Sequence, residues 1–152
     1  MATPEERLAE LGLTLPAVAA PLAAYVPAVR SGSLVFTSGQ LPSVEGELKV
    51  TGLVGGTVSL EEAVECARVC ALNALAAVVD LVGNLSAVRR VVKVVGFVAC
   101  TADFHAHPQV VNGASELLGQ IFGAAGVHAR SAVGVASLPK NAPVELELVV
   151  EV

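Results

Sequence analysis

The longest element predicted for this chain is an amphipathic helix whose start and end are both marked in the sequence. Ser59-Leu60-Glu61-Glu62 is a capping box, in which the serine side chain and the side chain of the glutamate three residues later each accept a hydrogen bond from the other residue's backbone N–H. The helix it opens is predicted to run to about Leu81, and Gly83-Asn84 end it. Apolar residues recur along it at helical spacing: Val64, Ala67, Ala71, Leu75 and Val78. A helix with one apolar face must pack on another element, here a sheet.

The sheet is predicted from runs of alternating or β-branched residues between turn residues. The predicted strands are Ala24–Arg30, Ser33–Ser38, Leu48–Thr51, Arg89–Thr101, Arg130–Ser137 and Val144–Glu151, and the second helix is Pro108–Phe122. The order β-β-β-α-β-α-β-β predicts an α+β fold, with two helices packed on one face of a mixed sheet. Residues 1–152 are expected to form a single domain.

The first twenty residues are predicted to form an N-terminal helix and an arm. Thr3-Pro4-Glu5-Glu6 is a second capping box, with proline in the first helical turn. Gly12 is expected to end this helix. The segment Leu13–Ala24, rich in proline and alanine, has no clear periodicity and is predicted to be extended.

Composition limits the classes of protein to which the chain can belong. Hydrophobic residues make up 54% of the 152 residues and charged residues 15%, more apolar surface than one small core needs, so we expect subunit interfaces. The most apolar stretch, Val69–Val82, contains Asn73 and Asp80 and is too short to cross a bilayer. Residues 1–10 lack the apolar segment of a signal peptide, which favours a cytoplasmic location. A net charge of −5 with scattered cations argues against binding nucleic acid.

Arg130 and Glu145 are the candidate reactive residues. Side chains alternate between the two faces of a strand, and we expect both of these to project from the face that the helices leave open. Ala132 and Gly134 share the Arg130 face and are too small to fill the space above them. The pattern predicts a hollow with a guanidinium at its edge, suited to a small carboxylate. Periodicity alone leaves open an arginine–glutamate pair at a subunit interface.

Two motifs resemble those of the RidA/YjgF family, the reactive intermediate deaminases also called endoribonuclease L-PSP. The segment 130–139, Arg-Ser-Ala-Val-Gly-Val-Ala-Ser-Leu-Pro, is similar to that family's arginine signature. The segment 37–42, Thr-Ser-Gly-Gln-Leu-Pro, resembles its Ser-Gly-Gln-(Ile/Leu)-Pro hallmark. Asn112, Glu145 and Tyr25 fall where the family has its own Asn, Glu and site tyrosine. The resemblance covers the chain from about Pro21 to the C-terminus.

The resemblance implies a chorismate-mutase-like fold, a homotrimer and sites in the clefts between subunits. It implies hydrolysis of 2-aminoacrylate or 2-iminobutanoate to a 2-oxo acid and ammonia, without a cofactor or metal. Arg130 would hold the substrate carboxylate, and Glu145 would activate water and handle protons. The other residues expected to bind substrate are Ser38, Gly39, Asn112 and Tyr25, the last from a neighbouring subunit.

The chain also departs from the archetypal family members. Ala132 stands where they have a cysteine, Gly134 stands where they usually have a larger residue, and the N-terminal helix is an addition. Two other functions therefore remain under consideration. One is a non-catalytic protein that binds 2-oxo acids, and the other is the endoribonuclease and translation inhibitor of the family's alternative name.

Several residues have a structural interpretation beside the functional one. Ser38 before a glycine is typical of a turn, Tyr25 could anchor an interface, and Glu147 shares the face of Glu145. Cys66 and Cys70 lie one helical turn apart and are expected to be buried apolar residues rather than metal ligands. The histidines are His105, His107 and His128. The first two are expected to be structural or at the surface, and the third is close enough to Arg130 to touch the cleft.

Overall fold

The computed structural model describes residues 1–21 and 24–152, so Leu22 and Ala23 of the predicted arm lie outside the described residues. It contains three α-helices, α1 (Pro4–Glu10), α2 (Leu60–Val82) and α3 (His107–Phe122). The strands are β1 (Ala28–Ser31), β2 (Leu34–Thr37), β3 (Ser43–Val44), β4 (Glu47–Leu48), β5 (Arg90–Ala99), β6 (Ala129–Val135) and β7 (Val144–Glu151).

Five of these strands form one mixed sheet in the order β1-β2-β7-β5-β6, in which only β5 and β6 run parallel. The parallel pair is joined through α3, as a parallel connection requires. Both long helices pack on one face of the sheet, and the core lies between them. The predicted α+β class is confirmed.

The capping boxes set the helix starts as predicted. Thr3 with Glu6, and Ser59 with Glu62, exchange hydrogen bonds between side chain and backbone in both directions. Gly12 has a φ of 71° and follows the end of α1, which is where the chain needs a left-handed residue. Helix α3 crosses α2 at Gly113. A Cβ at this position would overlap the backbone carbonyl of Val64, so the close crossing requires a glycine.

The segment before α2 differs from the prediction. The single strand predicted at Leu48–Thr51 is instead the separate hairpin β3–β4, whose turn is Glu45-Gly46 with φ values of 52° and 82°. This segment is held to α2 by Asn73, whose side-chain amide donates to the carbonyls of Leu41 (2.9 Å) and Ser43 (3.0 Å). The element order therefore has four strands before α2.

The expectation that Arg130 and Glu145 share the open face of the sheet is wrong. Arg130 pairs with Val94 of β5, whose side chain is fully buried beneath the helices. Glu145 pairs with Phe97, on the opposite face. The alternation within each strand was predicted correctly, and so was the open face for Glu145 in β7, but the face of β6 that carries Arg130 turns towards the helices. The open face also carries apolar side chains outside β7, with Val29, Phe36 and Val133 exposed by 51%, 41% and 43%, so hydrophobicity does not identify the helix side of β6.

Candidate functional site

Arg130 is the second residue of β6, an edge strand, and its side chain lies against α3. Nη1 donates to Oδ1 of Asn112 (2.7 Å) and to Oγ of Ser115 (3.1 Å), and Nη2 donates to the carbonyl of Pro108 (3.2 Å). Pro108, Asn112 and Ser115 are four and three residues apart, so one helix face presents all three acceptors. The guanidinium is thus fixed at three points, and the structure brings together the predicted Arg130 and Asn112.

Two donors of the guanidinium remain available. An arginine has five N–H groups, and these contacts use both on Nη1 and one on Nη2. Nε and the second Nη2 hydrogen have no acceptor among residues 1–21 and 24–152. Within that part of the chain no carboxylate pairs with Arg130, so an intramolecular arginine–glutamate pair is absent there. Nε and Nη2 are the pair of arginine nitrogens that a carboxylate can bind side-on through both oxygens.

Ser115 is itself held by His128, a contact that sequence analysis did not identify. A carbonyl can only accept, so Nδ1 of His128 carries the proton that it donates to the carbonyl of Gly126 (2.6 Å). In the neutral ring Nε2 then accepts from the Ser115 hydroxyl (2.8 Å), whose oxygen accepts from Arg130. His128 is close to Arg130 as expected, but the two side chains are linked through the Ser115 hydroxyl. Its position two residues before Arg130 was the only signal in the sequence.

Glu145 lies half-buried on the open face, next to Gly39. A Cβ at position 39 would come within 2.6 Å of the carboxylate, so a larger residue there would have to push the Glu145 side chain away. Burial, and secondarily the charge of Glu147, raises the pKa of Glu145 above its ordinary value of 4.5. A carboxyl with a raised pKa is better suited to exchange protons near neutral pH.

Ser38 makes turn contacts as well as lying next to Gly39. Its hydroxyl donates to the carbonyl of Val26 (2.6 Å) and its backbone N–H to that of Pro27 (2.8 Å). The hydroxyl hydrogen is therefore used within the fold, while the oxygen can still accept. Tyr25 and Gly39 both line a pocket of about 210 Å³, together with arm residues 19–21 and Lys140.

The predicted site residues thus form two clusters in one protomer. The arginine cluster contains Arg130 and Asn112, beside α3. The carboxylate cluster contains Glu145, Gly39 and Ser38, with Tyr25 nearby across the pocket. The sheet lies between Arg130 and Glu145, so the two cannot touch one small molecule within a single protomer.

The remaining candidates have other roles. Cys66 and Cys70 are buried in the core as predicted, and burial raises the pKa of Cys66 to about 11. The hollow expected above Gly134 is occupied by His107 and Cys100, which lie close to that glycine. In the described ranges no group of three or more His, Cys, Asp or Glu side chains is placed to hold a metal ion. None of the helices found there is long and apolar enough to span a bilayer.

Comparison with known proteins agrees with this architecture. Residues 5–152 match the family model described as "YjgF/chorismate mutase-like, putative endoribonuclease". Protein TCP17 of Trypanosoma cruzi is 43% identical over 145 residues, which are 95% of this chain and 91% of that protein.

Solved structures are also similar. Atu1372 of Agrobacterium tumefaciens, a protein of unknown function, is 49% identical, with a TM-score of 0.91 over 98% of this chain and 92% of its own. A "putative endoribonuclease" from Shewanella oneidensis is 36% identical, with a TM-score of 0.96 over 99% and 100%. E. coli TdcF, solved with bound serine, is 27% identical, with a TM-score of 0.64 over 91% and 95%. The family predicted from the two motifs is confirmed: this chain belongs to the YjgF/chorismate-mutase-like family.

Proposed function

We propose that the protein hydrolyses 2-imino acids, such as 2-iminobutanoate and the tautomer of 2-aminoacrylate, to 2-oxo acids and ammonia. The observation that carries this proposal is the state of Arg130. Its guanidinium is fixed by neutral acceptors on α3 and keeps Nε and one Nη2 hydrogen available. A guanidinium that is held in place and has no carboxylate partner in the described part of the chain is suited to bind a carboxylate, the group that all these substrates share.

Two protomers are needed to complete the site in this proposal. Glu145 and Arg130 lie on opposite faces of one sheet, so a substrate on Arg130 would meet Glu145 of the partner subunit. The exposed side chains of Val29, Phe36 and Val133 on the open face support association through that face. A homotrimer with clefts between subunits, as the family resemblance implies, would satisfy both requirements.

The chemistry needs little from the protein beyond position and proton transfer. Water adds to the electrophilic imine carbon and gives one of its protons to the nitrogen. The remaining hydroxyl proton then passes to the nitrogen as the C–N bond breaks, so that ammonia leaves and the 2-oxo group forms. The raised pKa of Glu145 suits it to take the proton from water and return it to the leaving nitrogen. The Gly39 N–H would hold the water or the developing oxygen. Holding the substrate by its carboxylate supplies orientation. No organic cofactor or metal is required.

A bound amino acid in a relative supports the substrate class. TdcF of E. coli was solved with serine, which carries the same α-carboxylate. The proposal assigns the carboxylate site of this chain to Arg130.

The test is a coupled assay in which a dehydratase generates the imino acid and release of the 2-oxo acid is followed. Wild type should accelerate release, and Arg130→Ala should abolish the acceleration. Arg89→Ala is the matched control, since Arg89 is exposed and its side chain makes no hydrogen bond or ion pair with residues 1–21 or 24–152. Equal rates for wild type and Arg130→Ala would refute the proposal.

A second candidate function is non-catalytic binding of 2-oxo acids. It is favoured by Ala132, which leaves the Arg130 face without the thiol of the archetypal members. Saturable binding of 2-oxobutanoate that Arg130→Ala removes, without any acceleration of hydrolysis, would select it. The RNA-cleaving activity in the family's name is disfavoured by the net charge of −5, and absence of cleavage at low salt would exclude it.

A further inference from the structure

We propose that Cys100 and His107 form a second reactive site, in which a thiol with its own base attacks small electrophilic carboxylic acids. Sγ of Cys100 lies 3.3 Å from Nε2 of His107, within hydrogen-bonding distance for sulfur. Both side chains are partly buried, which leaves part of each accessible. The inference does not depend on imine hydrolysis.

The fold holds the two side chains together from separate elements. Cys100 directly follows β5, and His107 is the first residue of α3. The ring of Phe104 meets the imidazole edge-on, with centroids 5.7 Å apart and planes at 79°, and so restricts its orientation.

Gly134 of β6 provides the space for this pair. A Cβ at position 134 would lie 2.5 Å from Nε2 of His107 and 3.0 Å from Sγ of Cys100, so any other residue would displace the pair. Cys100 and His107 are themselves only partly buried, so the pair is not sealed in the core. The missing side chain at position 134 is what leaves room for the thiol and the imidazole to meet.

The chemistry follows from the state of the thiol. Burial raises the pKa of Cys100, so the resting form is the neutral thiol and attack requires a base. Nε2 of His107 is placed to accept the proton as sulfur forms its bond. Cys66 and Cys70 are buried in the core with no such partner and serve as unreactive references.

The positive charge of Arg130 defines the class of electrophile. Arg130 and Gly134 lie on the same face of β6, about 13 Å apart along the strand. The arginine side chain reaches the carbonyl of Pro108, the residue after His107. An electrophile with a carboxylate is therefore attracted to this end of α3. With an α,β-unsaturated acid, sulfur bonds to the β-carbon, the π electrons move to the α-carbon, and that carbon takes the proton from His107. Atoms and electrons balance without an oxidant.

The experiment alkylates the 152-residue protein with limiting iodoacetate or iodoacetamide and measures the rate at each cysteine by peptide mass spectrometry. Sulfur displaces iodide, and the thiol proton passes to His107. Cys100 should react faster than Cys66 and Cys70. His107→Asn should lower its rate about tenfold or more, and the matched His105→Asn should not. The ratio of iodoacetate to iodoacetamide rates at Cys100 should exceed that of N-acetylcysteine.

An unchanged Cys100 rate in His107→Asn would overturn the proposal. If circular dichroism shows that this variant is unfolded, Gly134→Ala provides the same comparison, because its methyl group separates thiol and imidazole while keeping both. A rate ratio equal to that of N-acetylcysteine would overturn the preference for carboxylates. Neither outcome depends on the deaminase assay, in which the failure of the proposed function would appear separately.

Discussion

Arg130→Lys keeps the positive charge but removes the two parallel N–H donors of the guanidinium. It therefore tests whether the carboxylate is held by two hydrogen bonds or by charge alone. In the wild type the guanidinium has three neutral acceptors on α3 and two N–H groups available for a ligand. A lysine ammonium has only three N–H groups to serve the three acceptors on α3 and the two carboxylate oxygens of the ligand. It also cannot present two N–H groups in parallel. Loss of one charge-assisted hydrogen bond to the ligand costs about 1.5–3 kcal/mol, or about 10- to 150-fold in Kd.

The assay is calorimetric titration of 2-oxobutanoate, a stable product of the proposed reaction, into wild type, Arg130→Lys and Arg89→Lys. The Arg89 variant should bind as wild type does, and thermal unfolding should show that both variants are folded. Binding by Arg130→Lys within about twofold of wild type would refute the two-point contact, because charge alone would then account for the affinity.

Three further predictions concern the supports of the site. Ser115→Ala removes the link between Arg130 and His128 and should weaken 2-oxobutanoate binding severalfold by calorimetry, whereas Ser33→Ala, at an exposed serine, should not. Asn73→Ala removes two buried hydrogen bonds to the segment before α2 and should lower the free energy of unfolding in urea by about 2 kcal/mol; no change would contradict that anchoring role. Glu145 has a raised pKa in the folded protein, so it stabilises the fold below pH 4.5, and this contribution is lost as pH rises through the folded pKa. Glu145→Gln should therefore gain stability relative to wild type between pH 4 and pH 7 in urea unfolding, and a constant difference would contradict the shift.

Local signals predicted the elements well. Capping boxes and helical spacing depend on residues a few positions apart, which is why α1 and α2 begin where the sequence indicates. The alternation of apolar and acidic residues in Val144–Glu151, broken only at Val149, likewise predicted β7 with its correct bounds. The hairpin β3–β4 was missed because two-residue strands have no measurable periodicity.

The candidate site was predicted in its residues but not in its arrangement. The motifs identified Arg130, Asn112, Gly39 and Glu145, yet the face of Arg130 depends on the register of β6 against β5, which no local pattern encodes. The contacts of Ser115 with His128, and of Cys100 with His107, depend on how α3 lies across β6. Contacts between segments that are far apart in the sequence can be identified only when the three-dimensional fold is known.

A structure of the wild type with bound 2-oxobutanoate is the direct test of the claim that Arg130 holds the substrate carboxylate. We expect the carboxylate on Nε and Nη2 of Arg130, with both oxygens about 2.7–2.9 Å from nitrogen. We also expect Glu145 of the partner subunit beside the 2-oxo carbon. A ligand bound away from Arg130, or a protein carboxylate from a neighbouring protomer occupying those two N–H groups in its place, would contradict the claim.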